Sequence, residues 1–405
     1  MAVSITEALD IIYTNITPVS TEIIPIEMSL GRIMSKDSVA TFDLPRFDNS
    51  AMDGYAVKCS DAGTIVTSDH VIYAGDNPEM ILQEKTALRI MTGAPIPKGC
   101  EAIVPIEDVH IEDNKITLPS NIIKYIHIRR AGEDIKSGSK YLNKGDKVTA
   151  YSITLLASQG ITHIHVYRKI KVAVFSSGDE LRSHFEKIEA HQLYNSNTPM
   201  FLSRSKELGC EIQYIPSTGD TIECLETSIK SSLSADIIIT SGGMSVGDKD
   251  YTQQAFANLG MELYFNKVEI KPGKPTAFGK IANTAVVNLP GNPLASMVNY
   301  EIFIRTIIHK MSGRSSYYHN TIDTQMREDH KIKKGKNTVT LGSFDGISFM
   351  PLRQQLAGMV GPMQKAEAMI ITKPDIDFIE KGKKVKIIPI SWEFFSSEKK
   401  DFFTS

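Results

Sequence analysis

A glycine-rich loop that ends in carboxylates carries the most evident chemistry in this sequence. Residues 234–251, SADIIITSGGMSVGDKDY, run from a β-branched segment straight into the loop. Gly242, Gly243 and Gly247 allow the backbone to turn sharply and to present successive N–H groups to an anion. The loop is therefore predicted to bind phosphate or a similar oxyanion, and an ordinary strand-to-helix turn is the alternative. Its spacing matches neither of the standard glycine-rich nucleotide-binding patterns.

Three aspartates close to this loop indicate a divalent cation. Asp248 and Asp250 end the loop, and Asp220 follows a neighbouring short apolar run. Carboxylates beside an anion would repel it unless a cation lay between them, and Mg²⁺ binds through one or two carboxylates together with substrate phosphate oxygens. We therefore predict that these aspartates hold Mg²⁺. For each of them taken singly, a helix N-cap is the alternative, because Asp is favoured at that position.

Two lysines lie on a turn that prolines stiffen. In residues 269–280, EIKPGKPTAFGK, proline stands on either side of Gly273 and fixes the backbone. Lys271 and Lys274 are thereby held three residues apart, which suits a small dianion. A charged hairpin tip is the alternative.

A second strand-to-helix loop, NLPGNPLASM, contains Pro290 and then Ser296 in the first turn of a helix. The first N–H groups of a helix have no partner within it, so this turn offers more donors to an anion.

The N-terminal part of the chain adds polar loops. Asp53 lies in LPRFDNSAMDGYAV, Thr92 in MTGAPIP and Asp134 in RRAGEDI, and a salt-bridged turn is the alternative for such loops.

The elements that must position these loops alternate in the middle of the chain. Four short apolar runs are predicted strands and are separated by helix-like stretches, which is typical of a parallel α/β sheet: residues 171–175, 211–215, 236–240 and 284–289. Loops at the carboxyl ends of parallel strands meet along one crevice. Four acidic residues are therefore expected to face one cavity: Glu180, Asp220, Asp248 and Asp250.

The flanking segments predict further domains. Residues 41–137 read as an inserted β-rich domain, and residues 1–40 with 138–168 read as a discontinuous N-terminal domain. Residues 169–312 form the α/β domain. Residues 313–405 alternate again and predict a C-terminal β-barrel, followed from Phe394 by a tail. The expected fold class is multidomain, α/β plus β.

Composition excludes several classes of protein. The chain has 405 residues, 41% of them apolar, and a net charge of -2. We therefore expect a globular, soluble protein without the basic footprint that attracts nucleic acid or an anionic membrane. No run approaches the roughly 18 apolar residues of a membrane span. The four cysteines lack C-x-x-C spacing, which favours reduced thiols in the cytoplasm over a zinc or redox site.

Taken in order, the motifs resemble those of the molybdopterin molybdenumtransferase family, the MoeA-type enzymes whose relatives include the E domain of gephyrin. The resemblance covers roughly residues 1–312 and follows the family's motif order: FDNSAMDGYAV, MTGAPIP, EDV, RRAGEDI, SSGDEL, TSGGMSVGDKDY, KPGKPTAFGK and LPGNPLASM. It implies an elongated homodimer of four-domain subunits with a molybdopterin-binding-type α/β domain. It also implies an active site between that domain of one subunit and the β-rich module of the other.

The resemblance also implies the reaction. Adenylylated molybdopterin binds, Mg²⁺-dependent cleavage of its pyrophosphate bond releases AMP, and molybdate is placed on the dithiolene sulfurs. The implied partners are a molybdopterin adenylyltransferase and the proteins that mature molybdoenzymes. Matched by motif, the implied catalytic residues are Asp53, Asp220, Asp250, Lys271 and Lys274. The implied substrate-binding residues are Thr92, Asp134, Glu180, Gly242, Gly243, Ser245, Pro290 and Ser296, and the implied metal ligands are Asp220, Asp248 and Asp250.

The C-terminal domain departs from the family pattern. Many members read GSGML where this chain reads QLAGMV, so Ala357 replaces a serine. Arg353 is the candidate for the family's C-terminal arginine. Two other functions stay open: a nucleotide pyrophosphatase with a related α/β domain, which would lack the DNSAMDGYAV module, and a molybdopterin-binding scaffold without catalysis.

Overall fold

The chain folds into two compact units. The computed structural model describes residues 2–77, 79–216, 219, 221–242 and 251–391. The first unit comprises Met1–Ser35, Gly145–Thr149 and Ile164–Ser405, and the second comprises Lys36–Lys144 and Ala150–His163. Each unit therefore contains chain segments that are distant in sequence.

A six-stranded sheet forms the centre of the first unit. In chain order its strands are β1 (Lys171–Ser176), β2 (Glu211–Tyr214), β3 (Ile237–Ser241), β4 (Glu262–Phe265), β5 (Ala277–Ile281) and β6 (Thr284–Leu289). The spatial order is β2-β1-β3-β6-β5-β4. The first four strands in that order are parallel, and β5 is antiparallel to both of its neighbours. The mostly parallel sheet predicted from the sequence is thus confirmed.

Helices cover both faces of this sheet, which is why β3 and β6 are buried at every position. The helices are α1 (Asn197–Glu207), α2 (Ile222–Ser232), α3 (Tyr251–Asn258), α4 (Pro293–Asn299) and α5 (Arg305–Met311), with a wide π-helical turn between α4 and α5. Alternate side chains of β1 point to opposite faces. Ala173 and Phe175 belong to the core under α2 and α3, whereas Val172 and Val174 belong to the larger core under the other helices.

The chain begins with a helix that packs into this larger core. Ser4 and Glu7 form a capping box at the start of the helix Ile5–Asn15, which satisfies free N–H groups there. Ala8 and Ile12 are its buried residues and join the core of the sheet. The remaining short strands of the first unit are Ala2–Val3, Thr21–Pro25, His163–Tyr167, Leu181–Arg182, Leu193–Tyr194, Lys267–Val268, Ile270–Lys271, His330–Lys331 and Phe378–Ile379.

A closed barrel of five strands follows the α/β domain. Its strands are β7 (Ile322–Met326), β8 (Asn337–Phe344), β9 (Ser348–Pro351), β10 (Ala368–Thr372) and β11 (Lys384–Pro389). The order β8-β9-β7-β11-β10 closes because β10 also pairs with β8. Ile270–Lys271 pairs with the start of β8, so the predicted lysine turn lies against the barrel. The predicted C-terminal β-barrel is confirmed.

The second unit is rich in short strands. Four of them form a sheet in the order Val71–Ile72, Leu88–Ile90, Gly54–Val57 and Ala102–Pro105. The others are Ser38–Val39, Asn49–Ser50, Ile65–Thr67, His110–Glu112, Lys115–Thr117, Ile128–Arg129 and Lys140–Leu142, and one helix spans Ala150–Ser158. Two small apolar cores flank the sheet, because its strands bury side chains on both faces.

The predicted fold class agrees with this architecture. The structure has a central α/β sheet, a β-rich module that interrupts the chain, and a terminal barrel. The predicted domain boundaries and the elongated shape stay predictions. Among the described residues, no helix has both the length and the apolar character needed to cross a membrane.

Candidate functional site

A cavity of about 860 Å³ opens at the carboxyl ends of β1, β3 and β6. We call it the main cavity, and its wall includes Ser177, Ser241 and Leu289, one from the end of each strand. This is the edge where an open parallel sheet binds its ligands. The volume is within the ordinary range for small-molecule sites, about 300–1,000 Å³.

Four of the sequence-predicted residues line the main cavity: Glu180, Gly242, Lys274 and Pro290. They come from three different strand-end loops and from the lysine turn. A carboxylate, an ammonium group and a glycine backbone therefore line the same cavity. Their predicted roles in binding and catalysis stay predictions.

Position 242 favours glycine because of its backbone conformation and because of its close contact with Ser177. Its φ is +90°, and a Cβ atom there would lie 3.0 Å from the carbonyl oxygen of Ser177. Its N–H donates to the carbonyl of Leu289 at 3.2 Å, and its own carbonyl accepts from Nδ2 of Asn288 at 3.0 Å. The glycine thus lets the loops after β1 and β3 approach each other, and its N–H is already bonded within the protein.

Ser296 lies behind the wall of the main cavity. The residue is fully buried, and its hydroxyl donates to the carbonyl of Pro290. The sequence predicted this serine as a substrate contact. In the structure its hydroxyl is engaged with the loop that contains Pro290, so it fixes the shape of that loop.

The lysine turn is locked onto α4 by its glycine. Gly273 has a φ of +110°, and a Cβ atom there would lie 1.8 Å from Nδ2 of Asn299, a buried residue of α4. The hydroxyl of Thr276 lies 2.9 Å from the Gly273 carbonyl oxygen and 3.0 Å from Oδ1 of Asn299. The position and rigidity of the turn therefore depend on close contact with α4.

The two lysines of this turn line different cavities. Lys274 lines the main cavity, whereas Lys271 lines an adjacent one of about 670 Å³, which we call the barrel cavity. Pro275, Pro290 and Asn292 line both. The sequence predicted that both ammonium groups serve one small dianion, and the structure instead distributes them over neighbouring spaces.

The barrel cavity is positively charged. Besides Lys271, its wall has Lys331, Lys333 and Arg353, and no Asp or Glu belongs to the described part of that wall. Arg353 was the sequence candidate for the family's C-terminal arginine, and it does lie on this wall. The barrel thus supplies three of the four cations that surround the space.

Ala357, which replaces a family serine, acts through its backbone. Its carbonyl accepts from the N–H groups of Leu294 at 3.0 Å and Ala295 at 3.4 Å, and the N–H of Ser296 donates to Asn292 at 2.9 Å. The sequence predicted that the first N–H groups of this helix would face an anion. They are satisfied by protein carbonyls, because the barrel loop caps α4.

Asn197 is a site residue that the sequence did not single out. It lines the main cavity, and its Nδ2 donates to Oγ of Ser241 at 2.7 Å and to the carbonyl of Gly291 at 2.8 Å. Among the described residues its buried Oδ1 has no hydrogen-bond partner. Such acceptors are costly unless a ligand or water satisfies them. In the sequence, an Asn at the start of a helix is ordinary, so no local signal distinguishes it.

The second unit brings two predicted residues together. Oδ1 of Asp53 accepts hydrogen bonds from the backbone N–H and the hydroxyl of Thr92, both at 2.7 Å. The bond from the N–H and then that from the hydroxyl lower the pKa of Asp53. Asp134 is exposed, and its backbone N–H donates to the carbonyl of Leu44 at 3.0 Å.

The remaining predicted residues lie outside the described part of the chain: Asp220, Gly243, Ser245, Asp248 and Asp250. The predicted Mg²⁺ site depends on three of them and stays a prediction. Within the residues that the structure describes, no group of three or more His, Cys, Asp or Glu side chains is arranged to hold a metal ion.

Comparisons with known proteins agree with the fold. Residues 3–160 match the family model of the MoeA N-terminal region, domains I and II. Residues 173–310 match that of a probable molybdopterin binding domain. A molybdopterin biosynthesis MoeA protein from Pyrococcus horikoshii has a solved structure that superimposes with a TM-score of 0.83 at 25% identity. The alignment covers 97% of this chain and 100% of that one.

The fold and the main cavity define a multidomain protein with a molybdopterin-binding-type α/β domain. The molybdopterin molybdenumtransferase of Haemophilus influenzae is 37% identical over 74% of this chain and 75% of its own length. That of Staphylococcus epidermidis is 30% identical over 98% of this chain and 97% of its own length. The chain belongs to the molybdopterin molybdenumtransferase family, an enzyme family of molybdenum cofactor biosynthesis. The family membership and the enzyme class predicted from the sequence are confirmed.

Proposed function

We propose that this chain catalyses insertion of molybdate into adenylylated molybdopterin, with Mg²⁺-dependent release of AMP. One observation carries the proposal most directly. Separate loops place Glu180, Gly242, Lys274 and Pro290 around one cavity of small-molecule size at the carboxyl edge of the sheet. That arrangement suits a ligand with a phosphate-bearing end, because Lys274 supplies a cation and the loops exclude bulk solvent from one side.

The residues of the main cavity would bind and orient the substrate. The Lys274 ammonium group neutralises phosphate charge, and the turn around Gly273 keeps it in place. Oδ1 of Asn197, which has no hydrogen-bond partner among the described residues, supplies a buried acceptor for a donor group of the ligand. Ser296 fixes the Pro290 loop, so the wall is preorganised before binding.

The proposal includes Mg²⁺ held by Asp220, Asp248 and Asp250. Carboxylates are ligands that Mg²⁺ accepts, and Glu180 already lines the described part of the same cavity. When bound, the ion would act as a Lewis acid on the pyrophosphate oxygens. Lys274 would hold the phosphate end of the ligand while a water oxygen attacks phosphorus, the P–O bond of the pyrophosphate breaks, and AMP leaves.

Molybdate would enter by the barrel cavity. Lys271, Arg353, Lys331 and Lys333 surround this space, and a small tetrahedral dianion is the ligand that such a cationic wall suits. Because Pro275, Pro290 and Asn292 line both cavities, a dianion in the barrel cavity would lie next to the substrate. Lys271 and Lys274 would thus serve two substrates of one reaction.

We extend the proposal to a homodimer in the cytoplasm. In it, the module that contains Asp53, Thr92 and Asp134 would complete the active site of the other subunit. Two hydrogen bonds from Thr92 hold the Asp53 carboxylate in one orientation, which supports this assignment.

The experiment is AMP release from adenylylated molybdopterin by the purified chain, with and without Mg²⁺ and molybdate. We expect release to require Mg²⁺ and active cofactor to form only when molybdate is added. Absence of AMP release by a folded protein would refute the catalytic proposal and favour a scaffold role.

Two lysine variants test the division between the cavities. Lys271→Ala should raise the molybdate concentration needed for cofactor formation and leave binding of adenylylated molybdopterin intact. Lys274→Ala should weaken that binding instead. Lys383→Ala, which removes an exposed cation of the barrel, is the matched control. Equal effects of Lys271→Ala and Lys274→Ala on both measurements would contradict the assignment.

A further inference from the structure

A third cavity, of about 590 Å³, lies in the first unit and shares no wall residue with the main or barrel cavity. Its wall comes from the end of α1, from α5 and the residues that follow it, and from three chain segments around Arg32, Lys147 and Arg168. We call it the basic cavity, because of the seven Arg and Lys residues on its wall. None of these residues was predicted or assigned above to the catalytic reaction.

Four of the seven cations are neutralised by carboxylates. Arg168 and Asp236 approach to 2.6 Å, and Arg204 and Arg305 lie 2.7 and 2.9 Å from the buried Glu301. The four arginines and their acids are Arg32 with Glu22, Arg168 with Asp236, Arg204 with Glu301 and Glu207, and Arg305 with Glu301. Glu207 is the single acidic residue on the described wall, and it is already paired.

The other three cations are Lys147, Lys169 and Arg314. Among the described residues, none of the ion pairs involves them. A concave surface that carries uncompensated charge of one sign focuses the electrostatic field and concentrates counter-ions. The cavity thus has the electrostatics of an anion site, although the whole chain has a net charge of -2.

His309 indicates that these cations converge. It lies on the wall of the basic cavity, and burial first, then the charges of Arg314, Arg305 and Lys147, contribute to lowering its pKa to about 3. Charges from two separate segments, around Lys147 and Arg314, therefore act on one imidazole. The neutral ring adds no positive charge of its own, and its N–H group is a hydrogen-bond donor of the kind that a ligand can accept from.

Two tyrosines stand at the wall of this cavity, one of them half-buried (Tyr317) and the other exposed (Tyr318). Tyr317 and Tyr318 lie with their ring centroids 4.4 Å apart, and Tyr318 also contacts Tyr13 at 4.6 Å. Tyr318 keeps 62% of its surface exposed. Exposed aromatic rings beside a cationic space offer a stacking surface to the flat base of a nucleotide.

We propose that the basic cavity binds the di- or triphosphate group of a small molecule. A concave space of this volume suits a small ligand, and Arg and Lys groups form strong charge-assisted hydrogen bonds with phosphate oxygens. The source of the group is either a nucleotide, whose base stacks on Tyr318, or an inorganic polyphosphate. This binding is independent of the proposed catalytic function, because it uses different residues and a different cavity.

The test is isothermal titration calorimetry with inorganic pyrophosphate and with ADP at low ionic strength and without Mg²⁺. A Lys271→Ala/Lys274→Ala/Arg353→Ala background removes three cations from the walls of the main and barrel cavities, and this lowers the anion binding expected there. In this background the double variant Lys147→Ala/Arg314→Ala should bind about 100-fold more weakly, since each lost charged contact costs about tenfold. Neither residue pairs with a described carboxylate, so the substitutions leave no buried charge behind.

The matched control is Lys383→Ala/Lys384→Ala, which removes two exposed cations from the barrel and should leave binding unchanged. Tyr318→Ala separates the two sources. If it weakens ADP but not pyrophosphate, the ligand is a nucleotide; if it weakens neither, the ligand is an inorganic polyphosphate. Equal binding by the double variant and its background, or no pyrophosphate binding by the unchanged protein, would overturn the proposal.

Discussion

Glu301 is a buried carboxylate between two arginines, and we expect its replacement by glutamine to destabilise the first unit strongly. Its side chain is 3% exposed. One oxygen accepts from Nε of Arg204 at 2.7 Å, and the other accepts from Arg305 at 2.9 Å and from the second Arg204 nitrogen at 3.1 Å. In Glu301→Gln the amide cannot neutralise either guanidinium, so two partly buried positive charges face each other.

The magnitude follows from burial. Breaking a buried ion pair by removing one partner costs about 3–5 kcal/mol, whereas an exposed pair contributes about 0–1 kcal/mol. Glu207 provides the matched control, because it pairs with the same Arg204 at 2.7 Å but has 63% of its side chain exposed. Since 1 kcal/mol shifts Tm by about 2–4 °C in domains of 150–250 residues, Glu301→Gln should lower Tm by at least about 6 °C. Glu207→Gln should lower it by at most about 4 °C.

Differential scanning calorimetry at neutral pH measures these shifts for the unchanged protein, Glu301→Gln, Glu207→Gln, Arg305→Met and the double variant Glu301→Gln/Arg305→Met. Adding Arg305→Met to Glu301→Gln should restore part of the lost stability, because one of the two uncompensated charges is then gone. Similar Tm shifts for Glu301→Gln and Glu207→Gln would refute the argument from burial. A double variant whose loss equals the sum of the single losses would refute the charge repulsion.

Two further changes have defined outcomes. Gly273→Ala should lower cofactor formation and Tm together, because the new methyl group would meet Nδ2 of Asn299 at 1.8 Å. Gly335→Ala, at a φ of +99° with no atom within 4 Å, is the control for backbone strain alone, and equal effects would contradict the clash. His309 has a pKa of about 3, below the value of 6.5 expected when unfolded. The unfolded chain therefore binds the extra proton, and stability should fall by about 1.4 kcal/mol per pH unit as pH drops from about 6.5 towards 3. His309→Gln should reduce the loss of Tm between pH 7.5 and pH 5, and an unchanged loss would contradict this assignment.

Local patterns predicted the core of the fold because they depend on few residues. The alternating strands and helices of the middle third gave the parallel sheet, and β6 spans Thr284–Leu289 as the apolar run indicated. The glycines of the strand-end loops were also predictable. Gly242 and Gly273 adopt positive φ values that other residues rarely adopt, so their sequence context already indicated tight turns.

The sites were predicted less completely, because the spacing of residues along the chain does not show which side chains line the same cavity. The sequence placed Lys271 and Lys274 three residues apart, but only the packing of the turn between α4 and the barrel assigns them to separate cavities. From the sequence, Ala357 was interpreted as the replacement of a serine that many family members have. Its backbone carbonyl instead caps α4, a role that any residue type can fill and that no motif reveals.

The sequence by itself determined the family and the strand-end loops, since these are local properties of short segments. Only the tertiary structure decided which polar atoms are already satisfied. Within the part of the chain that the structure describes, Oδ1 of Asn197 has no hydrogen-bond partner, although its amide nitrogen bonds a residue 44 positions away. Arg204 is neutralised by Glu301 across 97 positions, while none of the ion pairs among the described residues involves Lys147 or Arg314. The physical reason is that hydrogen bonds and ion pairs form across the folded core, where separation along the chain places no limit on contact.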